Sequence, residues 1–363
     1  MAFKIVLIAA AAAQFAAAGL ALRLNYKYRG NSAWILISAA AILMAIRRGA
    51  TLVTVWQLNP DVFSNTSLWT ECTASLLVSV LFMAGVGLIE PHFIELSRAR
   101  DVLRREKKQL ERVVQQNEDE LRIARQVQQN LFPSQPPQLP GLDIWGASHP
   151  AEWAGGDYFD YLPLDDGSVV LVIADVSGHG IGPALLMSET RVLLRSLATQ
   201  YKAPEELLNH ANRFLVDDVE SGRFVTMFLA RVCPRRRLLT YAGAGHNAYL
   251  MTTAGALETL HASCPPLGAV DVLHASSSPP VQLQAGELLL LATDGVLETQ
   301  NPQQVQFGER QLLRVLSADN GQSAQQVGEQ LLTAARRFAE GAPQDDDNTV
   351  VVLKVLTAEP ADS

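Results

Sequence analysis

The chain has little cysteine and no surplus of positive charge. Its three cysteines, Cys72, Cys233 and Cys264, are widely spaced and form no C-x-x-C pair, so no disulfide framework is expected. Each reads as a small buried hydrophobe in a reducing compartment. A formal net charge of -8 argues against a nucleic-acid surface. Two local absences add to this. Residues 59–67 contain no Lys or Arg, and residues 93–131 contain no His. The second absence removes the phosphoacceptor that a membrane sensor kinase would need in its linker helix.

A chain of 363 residues has room for about two domains, and hydropathy divides it unevenly. Residues 1–22 form an alanine-rich apolar run, residues 33–58 a second run interrupted by Arg47 and Arg48, and residues 68–89 a third. A spanning helix needs about 20 apolar residues, so residues 1–90 are expected to be a transmembrane region of about three helices. A cleaved signal peptide is the alternative for the first run, with Ala16, Ala17 and Ala18 as a small-residue cleavage site. Arg23, Lys27 and Arg29 lie between the first two runs, and Arg98, Arg100, Arg104 and Arg105 follow the third. The positive-inside rule then places everything after the third run in the cytoplasm and the N-terminus outside. Trp34, Trp56 and Trp69 fall near segment ends, as an interfacial belt would. Arg47 and Arg48 either face a polar cavity or snorkel from a shorter or tilted span.

Residues 91–133 are charged and helical in pattern. Leu96, Leu103, Leu110, Asn117, Ala124 and Leu131 recur every seventh position, with Val114 and Leu121 at the partner position. The spacing predicts a parallel coiled coil with Asn117 setting register, although Arg100 and Lys107 interrupt the seam. A homodimer through residues 93–131 is the expectation. Pro133, Pro136, Pro137, Pro140 and Pro150 then close the helix.

The rest is organised around residues 155–182. Asp165-Asp166-Gly167 is a hairpin signal, and the β-branched run that follows is too short for a helix. Asp157 and Asp175 therefore sit at opposite ends of two paired strands or in their flanking turns. Two later strands repeat the pattern, one ending in Thr293-Asp294-Gly295 and one preceded by Asp345, Asp346, Asp347 and Asn348. A carboxylate at the end of a buried strand is costly unless compensated, and a divalent cation compensates it well. Four acidic strand ends in one domain suggest a polynuclear Mg/Mn centre. Strand pairs and grouped helices together indicate α+β layers.

The ordered set G-G-D at 155–157, D-V-S-G-H-G at 175–180, A-G-H-N at 244–247, T-D-G-V-L-E at 293–298 and D-D-N-T-V-V-V-L at 346–353 resembles the metal-dependent PPM serine/threonine phosphatases. More narrowly, it is similar to their SpoIIE/RsbU-like bacterial branch. Residues 124–140, A-R-Q-V-Q-Q-N-L-F-P-S-Q-P-P-Q-L-P, resemble the segment leading into that catalytic domain. The resemblance implies a β-sandwich covered by helices on both sides over residues 134–358, leaving 359–363 as a tail. It implies two Mn2+ or Mg2+ ions, with Asp175 bridging both, the Val176 carbonyl completing one, and Asp157, Asp294 and Asp346 holding the other. Asp157, Asp175 and Asp294 would be the catalytic carboxylates, and Asp347 ranks behind Asp346 as the last ligand. It also implies a phosphorylated protein substrate such as a STAS-type anti-sigma-factor antagonist, and an inner-membrane location with the catalytic domain in the cytoplasm. In the family, the helix around residues 124–131 is thought to move the turn at Asp157 between competent and incompetent states.

The chain departs from the eukaryotic branch in two places. Ser177 stands where that branch has its general-acid His, which weakens the same role for His179, and Glu152 and Trp153 stand where its phosphate-gripping Arg would be. His246 is expected to hold a turn by hydrogen bonding rather than to bind metal. Asp160, Asp165 and Asp166 read as strand-edge and turn residues. The competing class is a catalytically inactive membrane scaffold or partner-switch protein of the same fold, which the intact acidic set opposes.

Overall fold

The computed structural model describes residues 2–27, 32–57, 66–151, 153–218, 222–318 and 321–357. They fall into two compact units, Met1–Val114 and Gln115–Ser363. Arg29, Glu152, most of the 59–67 loop, the Trp56 side chain and the tail at 359–363 lie outside the described residues.

The first unit contains helices α1 (Ala2–Lys27) and α2 (Ser32–Gln57) and the N-terminal part of α3 (Thr66–Gln129). All three are long and apolar enough to cross a membrane. Ala18, Ala21, Ala41 and Ala45 are buried together, the small-residue contact that lets helices approach closely when lipid supplies no hydrophobic drive. The two arginines separate. Arg47 is exposed, while Arg48 is buried, donates to the Glu71 carbonyl at 3.1 Å and lies 3.8 Å from Cys72 Sγ. Gln14 donates to Ser75 Oγ at 3.1 Å, and Lys27 pairs with Glu90 at 3.0 Å. Along α3, Leu96, Leu103, Leu110 and Val114 are exposed, an apolar seam open to a partner.

In the second unit, two antiparallel five-stranded sheets pack face to face. One has the order β1 (Leu142–His149), β10 (Asn348–Val355), β9 (Leu288–Ala292), β6 (Ala248–Met251), β7 (Leu257–Leu260). The other runs β2 (Tyr158–Pro163), β3 (Val169–Val176), β4 (Val225–Cys233), β5 (Leu238–Ala244), β8 (Val281–Gln282). The strand sequences explain the layering. In β3, Val169, Leu171 and Ile173 enter the core between the sheets, while Val170, Val172 and Ala174 enter a second core beneath α4 (Ile181–Leu197) and α5 (Pro204–Asp218). In β10, Val351, Leu353 and Val355 face the first core, and Val350 and Val352 face a third under α7 (Gly308–Leu316) and α8 (Ala324–Phe338). Strands buried on both faces read as continuous apolar runs because alternate side chains enter different cores. A capping box of Ser323 and Gln326 starts α8.

The fold adds to or corrects several readings. Strand β1 occupies residues between Pro140 and Pro150 that composition assigned to a proline-rich closure; each proline lies just outside the paired residues, so none removes a ladder hydrogen bond. Residues 294–298 form a short helix, α6 (Asp294–Glu298). Asp160 lies in the edge strand β2 but is no solvated edge residue: it is fully buried, gripped by Arg195 through two bonds of 2.7 Å and by the Tyr158 hydroxyl at 2.7 Å. Finally, Asp157 and Asp175 do not lie at opposite ends of the hairpin. Tyr158 pairs with Ala174, so in an antiparallel ribbon the start of β2 meets the end of β3 and the two carboxylates lie at the same end.

Candidate metal centre

The sandwich brings three strand ends to one place: the turn before β2, the end of β3, and the β9–α6 junction beside the turn into β10. Close backbone approach explains the glycines. A Cβ on Gly155 would lie 1.9 Å from Asp347 Oδ2, and one on Gly156 would lie 2.6 Å from the Val176 carbonyl oxygen. Gly295 is equally constrained, since its Cβ would meet the Asp347 carbonyl at 2.1 Å. Any side chain there would separate the segments that carry the carboxylates.

Asp157 is buried and accepts a bond of 2.8 Å from the Thr293 hydroxyl, which in turn accepts from the Thr349 amide at 3.0 Å. Burial, followed by the charges of Asp175 and Asp347, raises its pKa well above the usual carboxylate range. Asp175 is pushed up to about 7, by burial first and then by Asp294, Asp346 and Asp347. Asp346 is raised mainly by burial, with Asp294 adding to the effect and His179 opposing it. Asp175 thus feels the other acidic groups of the cluster, and no Lys or Arg of the described residues is among the charges acting on Asp157 or Asp175. Oxygen donors carrying mutually repelling, partly dehydrated charge suit hard divalent cations. Among the described residues, no three acidic, His or Cys side chains close around a single point.

The two adjacent aspartates differ. Asp347 is buried, accepts from the Ala151 amide at 2.8 Å and the Asp157 amide at 3.4 Å, and packs on Gly155. Asp346 is exposed beside Asp294 and Asp175. His246 holds the architecture as expected. Its Nε2 donates to the Ala292 carbonyl and its Nδ1 accepts from Thr226, each at 3.0 Å, joining the two sheets beside the centre. Burial lowers its pKa to about 4, so it is neutral and outside acid–base chemistry at pH 7.

One residue escaped the sequence reading. Gln128, buried near the end of α3, donates from Nε2 to the Gly155 carbonyl at 2.7 Å and accepts the Gly155 amide at Oε1 at 3.1 Å. A polar residue in a heptad helix carries no mark that distinguishes it from its solvated neighbours. Beside the centre, His149 ends β1 and has its pKa lowered by burial and then by Arg336 and Arg125. The Gln344 side chain ties the His149 carbonyl to that of Asp346, at 2.8 and 2.7 Å.

Comparison with known proteins gives the family and the fold. The family described as Stage II sporulation protein E (SpoIIE) matches residues 165–356. The phosphoserine phosphatase RsbU of Bacillus subtilis (strain 168) is 31% identical over 247 residues, covering 67% of this chain and 72% of RsbU. The phosphoserine phosphatase RsbP of the same organism is 27% identical over 241 residues, covering 65% of this chain and 58% of RsbP. Among solved structures, the SiaA-PP2C domain of Pseudomonas aeruginosa superposes with a TM-score of 0.60 at 22% identity, over 67% of this chain and 98% of that domain.

Proposed function

Because the chain belongs to the SpoIIE family of PP2C-type protein serine/threonine phosphatases, we propose that it is a membrane-anchored phosphoserine/phosphothreonine protein phosphatase with a binuclear Mn2+ or Mg2+ centre. The observation that supports this is the mutual field of carboxylates from distant parts of the chain: Asp175 and Asp347 act on Asp157, and Asp294, Asp346 and Asp347 act on Asp175. Asp175 and the Val176 carbonyl would hold one ion, with Asp175 also contributing to the second beside Asp157, Asp294 and Asp346. Asp347 keeps the turn in place by accepting the Ala151 and Asp157 amides. Bound there, two hard cations lower the pKa of a coordinated water and neutralise phosphoryl oxygens.

The chain's own contribution is positioning. Thr293 orients Asp157, and Gly155 and Gly156 allow the turn to close on Asp347 and Val176. The apolar helices and the basic residues that follow them support an inner-membrane anchor with the phosphatase in the cytoplasm. The exposed seam of α3 supports a homodimer. The kinship with RsbU and RsbP supports a partner-switching substrate, a phosphorylated anti-sigma-factor antagonist of the STAS type. The bidentate contact of Gln128 with Gly155 supports a two-state coupling between α3 and the turn.

The test is phosphate release from a phosphoseryl STAS-type protein by the full chain in detergent, titrated with Mn2+ and Mg2+. Asp175→Asn should abolish it. Equal turnover by that variant, or turnover indifferent to chelation, would overturn the assignment. Sedimentation of the detergent-solubilised chain as a monomer would remove the dimer, and recovery in the soluble fraction would remove the anchor.

A further inference from the structure

The metal centre has two unlike flanks. Between α6 and the C-terminal half of α8, a cavity of about 290 Å³ is lined by Glu298, Arg336, Asp345, Asp346 and Asn348; three carboxylates against one arginine do not recruit an anionic phosphoprotein. The α4 flank carries an apolar stripe instead. Helix α4 starts at the centre, since a Cβ on Gly156 would lie 3.4 Å from Pro183 Cβ. Ile181, Leu185 and Val192 are all exposed, the last two by 67% and 63%. Their spacing of four and then seven residues sets them on one helical face, with Ser188 between them and Glu189 at the border. At 1.5 Å per residue the stripe is about 16 Å long. Phe224, also exposed, is held beside the 175–180 loop by two bonds with Ser177: its N–H donates to Ser177 Oγ at 2.9 Å, and its carbonyl accepts from the Ser177 amide at 3.0 Å. At the other end, Val192 borders an open groove between α4 and α5 that is lined also by Leu197, Tyr201 and Phe214.

A specific protein complex buries roughly 800 Å² on each partner, far more than one phosphoserine entering the centre supplies. The contact must therefore extend over a flank, and a contiguous exposed apolar surface is the kind that marks such contacts. We propose that the exposed face of α4, from Phe224 and Ile181 to Val192, is where a folded phosphoprotein substrate docks, with an apolar patch of its own beside the phosphorylated serine. The occupant follows from continuity. The stripe begins at the loop that carries Asp175 and Val176, so a folded domain holding its phosphoserine over that loop lies against the first turns of α4. The assignment rests on the phosphatase reading above. These side chains determine which protein is taken and touch no reacting atom.

The experiment uses the full chain in lipid nanodiscs with saturating Mn2+, since detergent would compete for an apolar surface. It measures kcat/KM on a folded phosphoseryl STAS-type protein, on the phosphoserine peptide excised from that protein, and on p-nitrophenyl phosphate. Wild type should prefer the folded protein to its peptide. Leu185→Ser and Val192→Ser should each lower kcat/KM on the folded protein about tenfold, the scale of one truncated interface anchor, and leave the peptide and p-nitrophenyl phosphate unchanged. Leu356→Ser, at an exposed position just past the far end of β10, should change none of the three. No preference for the folded protein, unchanged turnover of it by both α4 variants, or equal losses on all three substrates would overturn the proposal. So would a dimer that Leu185→Ser converts to monomer in sedimentation, which would put a second copy on this face. A wild type inactive on p-nitrophenyl phosphate would instead remove the phosphatase reading itself, so the two failures are told apart.

Discussion

Gln128→Ala isolates the link between the helical linker and the metal-binding turn. The native side chain satisfies both the N–H and the C=O of Gly155, at 3.1 and 2.7 Å, in a buried setting. Removing it strands two backbone groups, each costing about 1–3 kcal/mol when left unpaired. A total near 2 kcal/mol is reasonable where a water fills part of the space. That penalty applies only to the arrangement in which the 155–157 turn is seated, so the seated population should fall about 30-fold relative to alternatives. Two readouts follow. The Mn2+ concentration giving half-maximal hydrolysis of p-nitrophenyl phosphate should rise by about the same factor, with recovery at high Mn2+. The Gly155 amide should exchange with deuterium faster. Gln128→Glu should be at least as damaging, because it keeps the acceptor for Gly155 N–H but sets a carboxylate against the Gly155 carbonyl. An unchanged Mn2+ midpoint together with an unchanged Gly155 exchange rate in Gln128→Ala would refute the reasoning.

Other outcomes follow from the same geometry. Gly295→Ala places a methyl 2.1 Å from the Asp347 carbonyl and should cost on the order of 100-fold in kcat through displacement of the β10 turn, as steady-state kinetics would show. Arg195→Met leaves the fully buried Asp160 without its cation and should destabilise the phosphatase unit by about 3 kcal/mol, read as a lowered denaturation midpoint. His246 has a folded pKa near 4 against an ordinary 6.5, so the unfolded chain takes up its proton first. Its contribution is intact above pH 6.5 and is lost as pH falls toward 4, amounting to about 2 kcal/mol at pH 5. The thermal midpoint of wild type should drop across that window more steeply than that of His246→Gln.

The acidic positions were legible because Asp157 follows a glycine turn, Asp175 and Asp294 follow buried apolar runs and Asp346 precedes one, placements that cost free energy unless compensated. The layering was legible too, since residues 169–174 of β3, 288–292 of β9 and 350–353 of β10 are unbroken apolar runs that can be buried only between two covered faces. Strand β1 was hidden by the prolines that bracket it, and Asp160 by its likeness to any strand-edge aspartate. Its partner Arg195 lies thirty-five positions away, and no local pattern announces such a pair.

By itself the chain's order of residues determined the family, the apolar helices, the heptad seam and which carboxylates lie at strand ends. Those properties depend on neighbours a few positions apart. Tertiary structure alone decided that Asp347 pins the turn while Asp346 faces the open side, that Gln128 grips Gly155, that Arg48 is buried while Arg47 is not, and that Arg336 and Asn348 share a cavity with Asp346. Each of these is a meeting of residues far apart in the chain, and which of two adjacent side chains points inward depends on a register that only the packed sheets and helices set.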